Sequence, residues 1–214
     1  MNRIEQIKKI IFKPLLLIWI LHSCTEQREQ VYISNYNISV NGEYSTETSL
    51  FLIHLKNDSL FYFNSEAVLL YPYYLGKLKS NQLESKLNDL NIEHQNDSLK
   101  LYDNDLIWHF KELKEKTINS VSVNKNYFIG KKFTANTKYG NLIIQFIDEK
   151  RGSNLTHNCL FEWDLIEFEG YYFLWSVSDI ERVPLFIKNI TSDTIYTQLF
   201  TKEEVLDIIF TKIN

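Results

Sequence analysis

The chain has 214 residues, of which 44% are hydrophobic and 23% are charged, and its formal net charge is −4. This balance is typical of a folded protein and excludes a wholly disordered chain. No apolar run reaches the roughly 18 residues of a membrane-spanning helix, and two cysteines are too few for a disulfide scaffold. Tyr and Phe are abundant, at 13 and 14, whereas Gly and Pro number six and three. This composition favours β-structure.

The first 23 residues have the layout of a secretory signal. Four basic residues precede a run of seven apolar residues, Leu15 to Leu21, and Ser23 and Cys24 follow shortly after it. A basic leader, a short apolar stretch and a small residue before the cleavage point are typical of signal peptides. Seven helical residues span only about 10 Å, against roughly 30 Å of hydrocarbon core, so this run is too short to be a permanent anchor.

Leu21-His22-Ser23-Cys24 resembles the lipobox of bacterial lipoproteins, in which Leu stands three residues before the Cys and a small residue stands immediately before it. The resemblance implies that cleavage follows Ser23, that Cys24 receives a diacylglyceryl group, and that the new amino terminus is a site for a further acyl chain such as palmitate. His22 departs from the pattern, which usually has a smaller or aliphatic residue there. The alternatives are an ordinary secretory signal with an unrelated cysteine, or a buried N-terminal helix.

The resemblance implies a lipid-anchored protein of the bacterial cell envelope. Two or three acyl chains, at about 0.8 kcal/mol per buried methylene, hold a protein on a membrane effectively permanently. Thr25 follows the lipidated cysteine and lacks the inner-membrane retention mark that Asp provides there, so the outer membrane is slightly favoured. Loss of residues 1–23 removes four of the 23 basic residues and one of the 27 acidic ones, which leaves a net charge of −7. An acidic domain repels phosphate backbones, so no nucleic-acid partner is expected.

After a polar tether at residues 24–30, apolar and polar residues alternate with the period of two that predicts β-strands. Tyr36, Ile38 and Val40 alternate with polar residues up to Asn41-Gly42, a pair that is typical of a tight hairpin turn. Further strands are predicted at 50–53, 60–63, 99–101, 106–110, 142–147, 159–165, 171–175, 183–190 and 194–200. No Pro-rich or Gly-rich linker divides residues 31–214, so we predict a single β-rich domain.

Two short helices are also predicted, and they lie near 82–90 and 202–210. Asn81 with Glu84, and Thr201 with Glu204, have the spacing of a capping box ahead of apolar residues at helical intervals. About ten strands with short helices suit an antiparallel β-barrel or a two-sheet β-sandwich. The sequential order of hairpins is loosely similar to that of lipocalin-like barrels, a likeness of strand order with no motif behind it.

The chain contains no Gly-rich phosphate loop and no GxSxG, HExxH or CxxC motif, so we predict no catalytic residue, cofactor or metal. His157 and Cys159 share a strand face, but we interpret Cys159 as a small core residue beside Phe161 and Trp163. Acidic residues between 162 and 169 are interpreted as a solvated strand face, although paired carboxylates also carry out glycoside hydrolysis.

Clustered aromatic residues are the main candidates for ligand binding. They are Tyr71, Tyr73, Tyr74, Tyr171, Tyr172 and Trp175. Such rings stack on sugars or line apolar cavities, although most aromatic residues in a β-domain simply fill its core, where each buries about 150–250 Å².

We therefore predict a non-catalytic β-domain that binds a partner protein or a small apolar or sugar ligand. A closed barrel with a cavity of roughly 300 Å³ or more favours a small ligand, whereas a filled core with an exposed apolar patch favours a protein partner. One alternative is an envelope hydrolase that assembles carboxylates with His109 or His157 in space. Another alternative is an immunity-type lipoprotein that blocks an incoming toxin.

Overall fold

The computed structural model describes residues 29–39, 42, 44–45, 50–64, 72–79, 82–85, 90–102, 106–177 and 182–213. The predicted signal peptide at 1–23 and the predicted lipidation site at Cys24 lie outside these residues. Among the described residues the chain is almost entirely antiparallel β-strand, with one short 3-10 helix at Lys125–Tyr127. The prediction of a mainly-β fold is therefore confirmed.

The first nine strands form a sheet whose two ends nearly meet. They are β1 (Glu29–Ser39), β2 (Tyr44–Ser45), β3 (Leu50–Lys56), β4 (Ser59–Asn64), β5 (Tyr73–Lys79), β6 (Gln82–Ser85), β7 (Asn91–Gln95), β8 (Ser98–Tyr102) and β9 (Leu106–Leu113). Hydrogen bonds connect them in the order β6-β5-β4-β3-β1-β9-β8-β7, and β2 pairs with β1. The end strands β6 and β7 contact each other, and Leu83 and Leu90 pack against the enclosed core. We call this nearly closed structure the N-terminal barrel.

The remaining strands build a closed barrel. They are β10 (Ile118–Asn119), β11 (Lys132–Thr137), β12 (Gly140–Phe146), β13 (Arg151–Asn154), β14 (Cys159–Phe168), β15 (Tyr171–Val177), β16 (Arg182–Ile190), β17 (Thr194–Phe200) and β18 (Val205–Ile213). Strands β11–β18 pair around a complete antiparallel circuit, because β17 bonds both β18 and β16. Strand β10 adds in parallel to β16. This C-terminal barrel (β11–β18) confirms the predicted antiparallel β-barrel.

Asparagine and aspartate supply tight turns that glycine often occupies in other β-proteins. Asn57 and Asp58, between β3 and β4, have φ angles of 49° and 62°, and Asn96, between β7 and β8, has 54°. This left-handed region is sterically costly for most residues, but Asn and Asp tolerate it because their short side chains bond to the local backbone. Asn in these positions explains how the hairpins form in a chain with six glycines.

The two predicted helices are wrong where the structure describes them. Gln82–Ser85 forms β6, and Val205–Ile213 forms β18, which pairs with β17 on one side and β11 on the other; residues 86–89 lie outside the described ones. Thr201 does bond Glu204, since its hydroxyl accepts the Glu204 amide at 3.2 Å. That contact closes a hairpin turn instead of capping a helix, because the β-branched residues after it favour pairing in a sheet.

Alternation of side chains produces three separate apolar clusters. Tyr32 points into the N-terminal barrel, and Leu174 points into the C-terminal barrel. Their neighbours on the opposite strand faces, among them Ile33, Phe173 and Trp175, form a third cluster. The outer walls of the two barrels therefore pack against each other through an apolar interface. The single-domain organisation of residues 31–214 stays a prediction.

His54 lies on the outward face of β3, at the edge of this interface. Its Nε2 lies 2.9 Å from Glu29 Oε1, and its ring meets the Phe168 ring edge-on at 5.1 Å between centroids. Burial lowers the pKa of His54 below its usual 6.5, and the positive charge of Lys56 lowers the pKa further. The hydrogen bond to Glu29 and the charge of Glu169 raise the pKa but do not outweigh burial. The folded protein therefore favours the neutral imidazole.

We expect the free energy of unfolding to fall as the pH decreases from 7.5 to 5.5. Just below pH 6.5 the unfolded state takes up a proton on His54 that the folded state resists, so acid favours unfolding. His54→Gln keeps an amide donor for Glu29 and does not titrate, so its urea denaturation curves should differ less between the two pH values. His157→Gln, at an exposed turn, is the control that should retain the wild-type difference; an equal pH dependence in His54→Gln contradicts this assignment.

Candidate functional site

In the part of the chain that the structure describes, the C-terminal barrel is open at one end. Three described turns form the rim of this opening, at 138–139, 155–158 and 201–204. Residues 178–181, between β15 and β16, lie outside the described residues. We call the open end the mouth.

The opposite end of the barrel is closed by the 3-10 helix and the residue that follows it. Phe128 is fully buried, and its ring centroid lies 5.2 Å from that of Phe146 and 5.6 Å from that of Trp163. The Tyr127 hydroxyl donates to the carbonyl of Thr191 at 2.7 Å, which ties the helix to the turn after β16. These aromatic side chains form a plug that fills the lower part of the barrel.

Between the plug and the mouth lies a cavity of about 360 Å³. Its walls are predominantly aliphatic and aromatic, and they include Ala135, Leu142, Ile144, Phe146, Trp163 and Phe210. Polar lining residues, Thr137, Asn154 and Cys159, belong to strand ends at the mouth. Both the volume and the apolar lining are typical of small-molecule sites, which have volumes of roughly 300–1,000 Å³.

Small residues in two strands make room for this cavity. Ala135 on β11 is buried in the wall, where a larger side chain would extend into the space. Gly152 on β13 lies directly beneath the Phe161 ring, since a Cβ built on Gly152 would come within 2.3 Å of the Phe161 Cζ atom. Any side chain at position 152 would displace the Phe161 ring. The shape of the cavity therefore depends on a glycine at this position.

Polar atoms close to the cavity wall are engaged within the protein. The Thr197 hydroxyl donates to the carbonyl of Ile208 at 2.8 Å, and the Trp163 indole donates to the carbonyl of Asp148 at 3.0 Å. Among the described residues, no group of three or more His, Cys, Asp or Glu side chains is placed to hold a metal ion. The lower cavity is therefore chemically suited to apolar contact.

A second space of about 560 Å³ adjoins the cavity at the mouth. Thr137, Leu142 and Ile208 line both spaces, so the two share a boundary. Its other lining residues include Lys138, Tyr139, Thr156 and His157 of the rim turns and the apolar residues Leu199 and Leu206. Asn141 and Asp207 also border it, but they pair with Asn136 and Gln198 on the outward strand face. Lys138 forms an ion pair with Glu204, which joins two of the rim turns. We call this second space the vestibule.

The predicted ligand-lining aromatics do not come together. Tyr73 and Tyr74 lie on β5 of the N-terminal barrel, are 48% and 44% exposed, and pack against Tyr62 and Phe61. Tyr71 lies outside the described residues.

The other three predicted aromatics lie on β15. Tyr171 and Trp175 are buried in the cluster between the barrels, whereas Tyr172 packs against the apolar cluster inside the C-terminal barrel. Trp175 also borders the cavity. Ligand contact by this set of aromatics stays a prediction.

The structure also locates the polar candidates. Cys159 is exposed at the mouth, so its interpretation as a core residue is wrong; the reason is that the interior face of β14 opens onto the cavity there. His109 lies on β9 of the N-terminal barrel and His157 lies at the mouth of the other barrel, so the two are not brought together. Asp164 pairs with Lys125 at 2.8 Å, which agrees with a structural role for the acidic strand face.

The aliphatic walls of the cavity were not predicted as a site. Leu142, Ile144 and Ile208 have the alternation of ordinary core residues, and a core and a cavity wall share that pattern. Whether such residues fill a core or line a cavity is decided by packing between strands that are distant in sequence. A small residue amid large ones, such as Ala135 or Gly152, is the signal that the sequence offers.

No protein-family model matches this chain, and neither a curated protein nor a solved structure shows significant similarity to it. Among the described residues, no helix is long and apolar enough to span a membrane. The cavity and the vestibule are the features from which function is inferred.

Proposed function

We propose that the C-terminal barrel binds a small apolar ligand without transforming it. The observation that supports this proposal is a closed barrel that keeps an apolar cavity of about 360 Å³ behind one open mouth. Burial of apolar surface contributes about 25 cal/mol per Å², so an elongated hydrocarbon group gains substantial free energy by entering such a space. Because an apolar cavity holds water poorly, little is lost when the ligand displaces it.

The alternatives have less support. A sugar requires many hydrogen-bonding partners, whereas the lower cavity is lined by side chains such as Ile144, Phe146 and Phe210. A protein partner is favoured by a filled core, which the C-terminal barrel does not have above its plug. A hydrolase requires His109 or His157 close to paired carboxylates; the two histidines lie in different barrels, and the described residues contain no cluster of three or more His, Cys, Asp or Glu side chains placed as metal ligands.

Ala135→Phe should weaken binding of dodecanol at least about tenfold, or 1.4 kcal/mol, because the added ring occupies the cavity. Asn136→Phe is the matched control, since it adds a ring on the same strand at an exposed position. Isothermal titration calorimetry on the two variants and the wild type measures the effect, and thermal unfolding checks that each is folded. If Ala135→Phe does not fold, Ala135→Leu takes its place. Equal affinity in all folded variants would remove the cavity from the proposal.

We also propose that a lipid on Cys24 anchors the protein to an envelope membrane. The support is the likeness of residues 21–24 to a lipobox. Because β1 begins at Glu29, five residue steps after Cys24, the chain between them spans at most about 17 Å. An anchor at Cys24 therefore holds the start of the N-terminal barrel close to the membrane surface.

Cys24→Ala is expected to abolish acylation and to shift the protein out of the membrane fraction. Cys159→Ala, which removes the other cysteine of the chain, should leave both properties unchanged. Mass spectrometry of the mature N-terminus and detergent phase partition are the two measurements. Retention of Cys24→Ala in the membrane at the wild-type level would exclude this anchor.

A further inference from the structure

We propose that the C-terminal barrel binds one long hydrocarbon chain, such as an alkyl or acyl chain of sixteen carbon atoms, which continues from the cavity into the vestibule. The outer part of this chain contacts a second apolar layer, which consists of Leu199 and Leu206. This inference rests on the proposed function, because it concerns the ligand of the same barrel. It goes further by naming the length of the chain and a second contact site for it.

The cavity alone is too small for such a chain. A methylene group takes up about as much space as a water molecule in the liquid, roughly 30 Å³, so a cavity of about 360 Å³ has room for about twelve carbon atoms. The plug prevents the chain from extending further down, since Phe128 is fully buried against Phe146 and Trp163. Carbon atoms beyond the capacity of the cavity therefore extend toward the mouth.

The wall of the barrel continues as apolar surface into the vestibule. Thr197 and Ile208 face each other in the register of β17 and β18, and Ile208 lines the cavity. Side chains of a strand return to the same face at every second residue, so the next inward-facing pair toward the mouth is Leu199 with Leu206. Both leucines line the vestibule. They extend the apolar wall by one layer beyond the cavity.

The wall formed by β12 leaves room for a chain at this level. Leu142 lines both spaces, and Gly140 is the next inward-facing position of β12 toward the mouth. A Cβ atom built on Gly140 would meet no atom of a non-neighbouring residue within 4 Å, so this position borders open space. The φ angle of 130° favours glycine here, which keeps the position without a side chain. The vestibule is therefore wide enough at this level to admit a chain.

Leu199 and Leu206 are only partly buried, so they present apolar surface at the mouth of an apolar cavity. A hydrocarbon chain that leaves the cavity covers this surface and removes its own methylene groups from water. Complete burial of one methylene group strengthens binding about fourfold. Because the vestibule is open to solvent at the mouth, we expect roughly twofold for each methylene group beyond the capacity of the cavity.

The test compares octanol, dodecanol and hexadecanol, each delivered from a cyclodextrin complex, by isothermal titration calorimetry. Octanol fits within the cavity, whereas hexadecanol has to extend into the vestibule. We expect the wild type to bind hexadecanol about tenfold more tightly than dodecanol, because its additional methylene groups are partly buried in the vestibule. A gain of less than about threefold overturns this inference.

Leu206→Ala should weaken hexadecanol binding by about threefold or more and leave octanol binding within about twofold of the wild type, because octanol does not reach the vestibule. Leu199→Ala truncates the facing side chain and should have the same effect. Val205→Ala is the matched control, since it truncates the neighbouring aliphatic residue on the outward face of β18, which is 43% exposed. It should alter neither affinity, and thermal unfolding checks that each variant is folded.

The outcomes separate this inference from the proposed function. Unchanged hexadecanol affinity in both leucine variants overturns the inference, and so does an equal loss of affinity for octanol and hexadecanol, which indicates a general structural effect. If octanol and dodecanol bind but hexadecanol gains nothing, this inference fails and the proposed function stands. If none of the three alkanols binds, the proposed function itself fails.

Discussion

Phe128→Ala is expected to lower the free energy of unfolding by about 3–5 kcal/mol, the usual cost of truncating a buried aromatic residue. Phe128 is fully buried, and its ring packs within 6.5 Å, between centroids, of Phe133, Phe146 and Trp163. Truncation leaves a void at the closed end of the barrel, and the hydrogen-bonded circuit of strands limits how far the walls can collapse into it. The plug therefore stabilises the barrel as well as closing it.

Urea denaturation of Phe128→Ala measures this loss. Asn126→Ala, two residues earlier on the exposed side of the same turn, is the control and should cost less than about 0.5 kcal/mol. A cost below about 1 kcal/mol for Phe128→Ala is incompatible with a plug packed as described.

Phe173→Ala is expected to cost a similar 3–5 kcal/mol, but by a different route, since Phe173 faces outward from the C-terminal barrel. It is fully buried because the outer wall of the N-terminal barrel covers it, with Val31, Ile33 and Leu52 in the same cluster. Its ring also lies 5.8 Å from the Phe186 ring. Truncation thus weakens the contact between the barrels and leaves the interior of each intact.

The wild type should unfold in one calorimetric transition, and Phe173→Ala should separate it into two because the barrels lose part of their coupling. Tyr196→Ala truncates an exposed ring on the outer wall of β17 and serves as the control, with one transition retained. Two transitions in the wild type, or a cost in Phe173→Ala no greater than in Tyr196→Ala, would contradict the described interface.

Much of the strand content follows from local patterns in the sequence. The hairpin at Asn57-Asp58 and the turn at Glu169-Gly170 form where turn residues interrupt apolar alternation, and all four residues have positive φ angles. These features are local, so neighbouring residues suffice to predict them.

Tertiary pairing decided the features that local patterns did not predict. Thr201 and Glu204 have capping-box spacing, but the segment after them became β18 because β11 and β17 bond it on both edges. The run from Tyr171 to Trp175 lacks alternation, and the structure gives the reason: one face lies inside the barrel and the other lies against its neighbour. A strand buried on both faces reads as a continuous apolar run.

The cavity depends on how distant strands pack, and so do the roles of the aromatic residues. Tyr171 and Trp175 contribute to the barrel interface, whereas Ala135 and Gly152 shape the space that a ligand would enter. Large aromatic residues are the usual candidates for a binding site in a sequence, whereas the cavity itself forms where the residues are small. Pairing of β16 with β17 closes the barrel and so sets its diameter. A short stretch of sequence does not reveal this closure.

Binding of a hydrocarbon chain inside the C-terminal barrel is the central claim, and nuclear Overhauser contacts from ¹³C-labelled dodecanol test it most directly. The claim predicts contacts from the chain to the methyl groups of Ala135, Ile144 and Ile208, which line the cavity. Contacts confined to exposed methyl groups, such as those of Ile118 and Val205, or no contacts at saturating dodecanol, would contradict it.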